Sequence, residues 1–149
     1  MSQAKFVYVI YIRTTLDALW EALTGAEFTR QYLAGGRFQT DWKEGSPVAF
    51  VGERGEVAWD GTVLAYDPPR RLVCAFHDRL IDAGEPHSRL TYELEPNGPT
   101  VKLTLTHEGF PPSSKVRAGV TAAWPGVLSS LKSLLEGGRP LEFDRFCGA

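Results

Sequence analysis

Several features that would assign a function directly are scarce or missing in this chain of 149 residues. It has two cysteines, Cys74 and Cys147, and because cytosolic thiols stay reduced we do not expect them to form a disulfide. The net charge is −2 and the basic residues are scattered, so the sequence shows no basic patch of the kind that binds nucleic acid, and we do not expect such binding. Zinc-type HExxH and paired CxxC motifs, the GxSxG elbow, the P-loop and the dinucleotide fingerprint are all absent. We therefore predict neither a metal site nor a cofactor.

Long hydrophobic runs are also missing. The apolar segment near the N-terminus, Phe6–Ile12, has seven residues and is followed by no small-residue cleavage site. A helix needs about 20 apolar residues to cross a bilayer, so this segment is too short to insert. We expect a cytoplasmic protein with no membrane insertion.

The chain does contain a series of short strand-like segments that end in one long helical pattern. The first strand is followed by two short helices, with Thr14 or Thr15 as the first cap and Gly25 as a stop. Six more strands are separated by Gly and Pro turns, and apolar residues then recur at helical spacing over Val116–Leu135. Pro125 interrupts this helix, and we expect a single kinked helix rather than two. The predicted order is βααββββββα in a single α+β domain over 1–149, with a core over about 6–136 and a tail over 137–149.

Five segments in register resemble a known family. They are Leu19–Thr24, Asp41–Val48, Asp67–Leu72, Thr104–Phe110 and Trp124–Leu131. The chain resembles the helix-grip fold of the START and Bet v 1-like (SRPBCC) superfamily, in the branch named after the activator of heat-shock protein 90 ATPase. The resemblance implies a curved antiparallel sheet of about seven strands wrapped on the long C-terminal helix, with an apolar cavity between them.

For function, the resemblance implies a cavity that binds a small hydrophobic or amphipathic, lipid-like molecule, without demonstrated catalysis. The eukaryotic namesake carries a further N-terminal domain and acts on a chaperone in the stress response. Because this sequence shows no such domain, we do not expect co-chaperone activity. A chaperone-interaction module and a homodimer remain alternatives.

The candidate ligand-binding residues are mostly aromatic and are predicted to lie on strands or on the long helix. A Trp or Tyr ring adds a polar group to an apolar wall, which suits an amphipathic ligand. The set is Trp42, Trp59, Phe76, Tyr92, His107 and Trp124.

His107 is the most informative polar residue of this set. Strand alternation places it on the inward face with Leu103 and Leu105, where a histidine is usually a hydrogen-bonded core residue. The alternative is a small-molecule enzyme of the hydrolase, lyase or cyclase type that uses His107 as a general acid or base. We assign no catalytic residue, and His107 is the one candidate. His77 and Cys74 face opposite sides of their strand and predict no metal site.

Overall fold

The structure is a computed structural model that describes residues 5–141. Its strands are β1 (Phe6–Ile12), β2 (Arg37–Thr40), β3 (Pro47–Val51), β4 (Val57–Asp67), β5 (Arg71–Asp78), β6 (Ser88–Asn97) and β7 (Thr100–Glu108). Its helices are α1 (Leu16–Thr24), α2 (Ala26–Tyr32) and α3 (Lys115–Gly137). All strands join one antiparallel sheet in the order β1-β7-β6-β5-β4-β3-β2. The predicted α+β helix-grip architecture and its element order are confirmed.

The two short helices are fixed by polar contacts at their ends. Thr15 caps α1, since its Oγ1 accepts a hydrogen bond from a backbone N–H of the first turn at 3.1 Å. The buried Tyr32 hydroxyl donates to the Ala22 carbonyl at 2.8 Å, which ties α2 to α1. Thr29 Oγ1 donates to the Gly36 carbonyl at 2.9 Å, so the turn after α2 is also held in place.

Helix α3 is one continuous element, and Pro125 lies inside it without ending it. Ser114 caps it and donates to Glu85 Oε1 at 2.6 Å. Glu85 Oε2 in turn accepts from the backbone N–H groups of Lys115 and Val116 at 2.8 and 3.2 Å. A carboxylate at a helix N-terminus pairs with free N–H groups and with the helix dipole, so this contact stabilises the start of α3.

The apolar face of α3 packs on the inner face of the sheet and forms the core. Every second residue of β7 is buried, from Val101 to His107, as strand alternation predicts. The inward orientation predicted for His107 is therefore confirmed. The buried apolar residues that α3 contributes are Val116, Val120, Trp124, Val127, Leu128, Leu131 and Leu134.

One edge of the sheet is clamped by α3. Lys132 Nζ donates to the Tyr11 carbonyl at 2.6 Å, and the Arg13 N–H donates to Glu136 Oε2 at 2.7 Å. These contacts satisfy backbone groups at one end of β1, the type of protection that edge strands need against pairing with other chains. Three outward side chains of β1 are 45–47 % exposed, namely Val7, Val9 and Tyr11.

The sequence pattern from Phe38 to Trp42 predicts a strand, and this prediction is wrong at its end. Strand β2 ends at Thr40, and Trp42 has a φ of 55°, a left-handed conformation that no strand contains. Cys74 is buried and free, and its predicted lack of a disulfide stays a prediction because Cys147 lies outside the described residues, as does the tail beyond residue 141. No helix within residues 5–141 is long and apolar enough to cross a membrane.

Candidate functional site

A cavity of about 260 Å³ lies between α3 and strands β3, β4 and β5. Its floor is formed by buried side chains, and its open side by residues that solvent reaches. The floor contains Phe50, Trp59, Phe76, Val120, Trp124 and Val127. The rim contains Leu33, Ala34, Gly52, Glu56, Ala58, Leu80 and Ala123. The cavity is close to the lower end of the volumes typical of small-molecule sites, about 300–1,000 Å³.

The aromatic floor is built by cross-strand packing. Phe50 and Trp59 are register partners on β3 and β4, and their rings stack with centroids 6.4 Å apart. Trp59 also stacks on Phe76 of β5 at 4.6 Å, so three neighbouring strands present one aromatic surface. This surface faces α3, and Trp124 closes it from the helix side.

The turn after α2 forms one side of the rim. Ala34 and Gly35 adopt φ values of 50° and 77°, which reverse the chain immediately after the helix. The next residue, Gly36, contacts the Phe50 ring so closely that a Cβ there would lie 2.3 Å from a ring carbon. This close contact and the Thr29 hydrogen bond fix the turn over the aromatic floor.

The loop after β5 forms the opposite side. Asp78 Oδ2 accepts from the backbone N–H groups of Leu80, Ile81 and Asp82 at 3.1, 2.5 and 2.8 Å, which folds the loop into a tight turn. Ile81 rests against Gly119 of α3, where a Cβ would lie 2.3 Å from Ile81 Cδ1. The turn thereby places Leu80, which is 59 % exposed, at the cavity rim.

His107 lies behind the cavity floor in a chain of hydrogen bonds. Trp124 Nε1–H donates to His107 Nδ1 at 3.3 Å, and because an indole nitrogen can only donate, Nδ1 must be the unprotonated nitrogen. Nε2–H then donates to Ser88 Oγ at 2.8 Å, and the Ser88 hydroxyl donates to the Phe76 carbonyl at 3.3 Å. Burial lowers the pKa of His107 to about 3. The imidazole is therefore neutral at physiological pH and holds Trp124 in place.

The structure brings three of the six predicted site residues together at the cavity, namely Trp59, Phe76 and Trp124. Trp42 stacks on Tyr66 at 5.6 Å instead and does not line it. Tyr92 is buried, with its ring 6.4 Å from that of Trp124 and outside the lining. His107 is fully buried, so its imidazole is not exposed to the cavity as the enzymatic hypothesis requires.

Several lining residues were not predicted from the sequence. Ala123 and Glu56 illustrate two different reasons. Ala123 lies one residue before Trp124 at the edge of the apolar helix face, and its place could have been inferred from helical spacing. Glu56 is solvent-exposed and also borders the cavity. It lies in the turn before β4, where strand alternation predicts nothing.

The outer face of the sheet carries a second, more open depression of about 630 Å³ that includes Asp60, His77, Arg79 and His87. Asp60 accepts from Arg79 Nη2 at 2.7 Å, and this hydrogen bond is the main reason why the pKa of Asp60 is lowered. His77 Nδ1 lies 3.2 Å from Asp60 Oδ1, and its ring stacks on His87. These groups are largely occupied with one another. No group of three or more potential metal ligands occurs within residues 5–141.

Comparison with known proteins agrees with this architecture. The family model described as Activator of Hsp90 ATPase homolog 1-like protein matches residues 13–136. No curated protein sequence matches the chain.

Solved structures show the same fold. Protein MLL2253 from Mesorhizobium loti is similar with a TM-score of 0.76 and 24 % identity, covering 89 % of this chain and 97 % of that one. Protein ChR145 from Cytophaga hutchinsonii gives 0.74 and 25 %, covering 93 % and 98 %. The Aha1 dimer from Colwellia psychrerythraea gives 0.75 and 18 %, covering 91 % and 98 %.

Proposed function

This chain belongs to the family of Activator of Hsp90 ATPase homolog 1-like proteins, and from this we propose that it binds a small apolar or amphipathic molecule in the cavity under α3. The observation that carries the proposal is the aromatic floor, where Trp59, Phe76 and Trp124 face a space that no side chain fills. Burying an apolar ligand against aromatic rings is favourable, by roughly 25 cal/mol for each Å² removed from water.

The geometry favours binding without acid–base catalysis by His107. Both ring nitrogens are hydrogen-bonded inside the protein, and the pKa of about 3 keeps the imidazole neutral. An effective acid or base titrates near the working pH and reaches the substrate, whereas His107 does neither. We do not propose a chaperone contact, because no feature of the described surface selects one.

The cavity is tested by filling it. Ala123 lines the cavity, whereas its neighbour Ala122 is exposed on the outer side of α3, so Ala123→Phe and Ala122→Phe are a matched pair. Binding of 2-naphthylmethanol, an uncharged aromatic probe, is measured by isothermal titration calorimetry. We expect the wild type and Ala122→Phe to bind equally and Ala123→Phe to lose at least about tenfold in affinity. Unchanged binding in a folded Ala123→Phe variant would place the probe elsewhere and refute the proposal.

A second candidate is association of two copies along β1. This strand lies at the sheet edge and exposes Val7, Val9 and Tyr11 on one face. Val7 and Val9 lie away from the end of β1 that Lys132 and Glu136 hold. Exposed apolar residues on an unprotected stretch of an edge strand form a surface suited to pairing with another strand. The similar Colwellia protein was solved as a dimer, which supports the idea that this chain pairs with itself.

A further inference from the structure

Glu56 is the one charged residue among the described residues that line the cavity. The others are apolar side chains and a glycine, and none is basic. An anionic ligand therefore finds no partner for its charge in this lining, whereas a cationic ligand finds a carboxylate at the rim. The negative charge of Glu56 therefore favours cationic ligands over anionic ones in this cavity.

The carboxylate of Glu56 is held in a defined position. Its Oε1 accepts from the backbone N–H of Arg54 at 2.9 Å, and the Gly52 N–H donates to the Glu56 backbone carbonyl at 2.8 Å. The carboxylate also lies against Gly52, where a Cβ would come within 2.6 Å of Glu56 Cδ. The β3–β4 turn thus fixes the carboxylate at the cavity entrance, and a glycine at position 52 makes room for it.

The charge of Glu56 is not neutralised within residues 5–141. No Lys, Arg or His nitrogen of this part of the chain lies within 4.0 Å of it, although such pairs form elsewhere, as between Lys132 and Glu136. Its Oε2 accepts no hydrogen bond from the same residues, and so one oxygen is available to a ligand. A positive charge next to an unpaired carboxylate is attracted more strongly beside an apolar wall than in open water.

The floor suits the same ligand class. The indole rings of Trp59 and Trp124 both line the cavity, and the face of a tryptophan attracts cations as well as apolar groups. We propose that the ligand is a small, largely apolar amine, with its ammonium group at Glu56 and its apolar body against Trp59 and Trp124. This inference rests on the proposed function, because it specifies the ligand of the same cavity.

The experiment compares three probes that share one ring system. These are 2-naphthylmethylamine, 2-naphthylmethanol and 2-naphthoate, which are cationic, neutral and anionic at pH 7. We measure their affinities for the full chain by calorimetry at 0.15 M salt, where the Debye length of about 8 Å suppresses distant charges. We expect the amine to bind about fivefold more tightly than the alcohol, and the carboxylate about fivefold more weakly, as for a partly exposed ion pair.

Glu56→Gln should abolish this order while keeping a side-chain oxygen to accept from the Arg54 N–H. Glu53→Gln removes the same charge from the same turn, at a residue that packs over Gly35 and does not line the cavity, so it should keep the order.

The possible results test the charge preference and the cavity binding separately. Equal binding of all three probes to the wild type would overturn the charge preference and leave cavity binding intact. An equal effect of Glu53→Gln and Glu56→Gln would also overturn it, because a diffuse surface charge would then explain the order. Absence of binding by all three probes would overturn both this inference and the proposed function.

Discussion

The buried histidine makes the stability of this protein depend on pH in a calculable way. The pKa of His107 falls from an ordinary value of 6.5 to about 3 because burial disfavours the charged form. In the unfolded chain the imidazole returns to the ordinary value. Below pH 6.5 the unfolded state therefore binds a proton that the native state does not. The free energy of unfolding must then decrease as the pH is lowered.

The magnitude follows from this difference in pKa. Each pH unit below 6.5 lowers the free energy of unfolding by about 1.4 kcal/mol until the pH approaches the native pKa near 3. Between pH 7 and pH 5 the loss is about 2 kcal/mol, a large part of the 5–15 kcal/mol that stabilises an ordinary domain. The lowered pKa values of Asp60 and Glu136 also stabilise the native state, and this stabilisation is lost as the carboxylates are protonated. The loss occurs mainly at lower pH, because the ordinary pKa values are 3.8 and 4.5. The window above pH 5 therefore reports chiefly on histidine.

The assay is urea unfolding at pH 7, 6 and 5 on the wild type, His107→Gln and His87→Gln. His107→Gln removes the titrating ring and a buried hydrogen-bond partner, so we expect it to be destabilised at pH 7 by about 1–3 kcal/mol. Relative to the wild type it should lose about 2 kcal/mol less between pH 7 and pH 5. His87→Gln replaces an exposed histidine and is the control for the loss of one imidazole.

Identical pH slopes in the wild type and His107→Gln would refute this account, because the native imidazole would then bind its proton without cost. Nitrogen chemical shifts of the His107 ring provide a second measurement that does not depend on unfolding. They should show a neutral ring protonated on Nε2 down to pH 5.

Two further predictions concern the sheet. Gly61→Ala should destabilise the protein by at least about 2 kcal/mol in urea unfolding, because its Cβ would lie 1.8 Å from the Ala75 carbonyl oxygen. The control is Gly137→Ala at the end of α3, where a Cβ meets no atom within 4 Å. This variant should be neutral or stabilised by up to about 1 kcal/mol. Equal effects of the two substitutions would show that β4 and β5 can separate at this point. Light scattering after size exclusion should find a dimer that Val9→Lys dissociates and that Leu64→Lys, at a similarly exposed position on β4, leaves intact. A wild-type monomer at all concentrations would contradict pairing along β1.

Local patterns in the sequence were sufficient for the order of elements. The sequence pattern predicts a helix over Ala26–Tyr32 and a strand over Thr100–Glu108, and the bounds of α2 and β7 match. Each is set by glycine, proline or capping residues beside a clear periodicity. The inward orientation of His107 follows from alternation alone. The sequence predicts Trp42 on a strand, and this is wrong. Residue propensities do not indicate that an individual tryptophan adopts a left-handed φ.

The cavity lining was only partly predictable for a different reason. Alternation and helical spacing assign a side chain to a face, but a lining is shared by elements far apart in sequence. Glu56 and Leu80 reach the rim from turns, whose geometry depends on contacts such as those of Gly52 and Asp78. Tyr92 and His107 share an inward face with lining residues but lie behind them. The periodicity of the sequence predicts which face a side chain is on, and it does not predict how far that side chain lies from the cavity.

The double role of Trp124 limits how this protein can diverge. Its ring lines the cavity, while its N–H completes the hydrogen bonds of a buried histidine. A lineage that replaced Trp124 to reshape the cavity would leave His107 Nδ1 without a donor, so a second substitution at His107 would be needed to restore stability. Rim residues such as Leu33 and Leu80 have apolar side chains, so no buried polar group depends on them for a hydrogen bond. Changes in the shape of the cavity should therefore arise at the entrance first, and the back wall should change last.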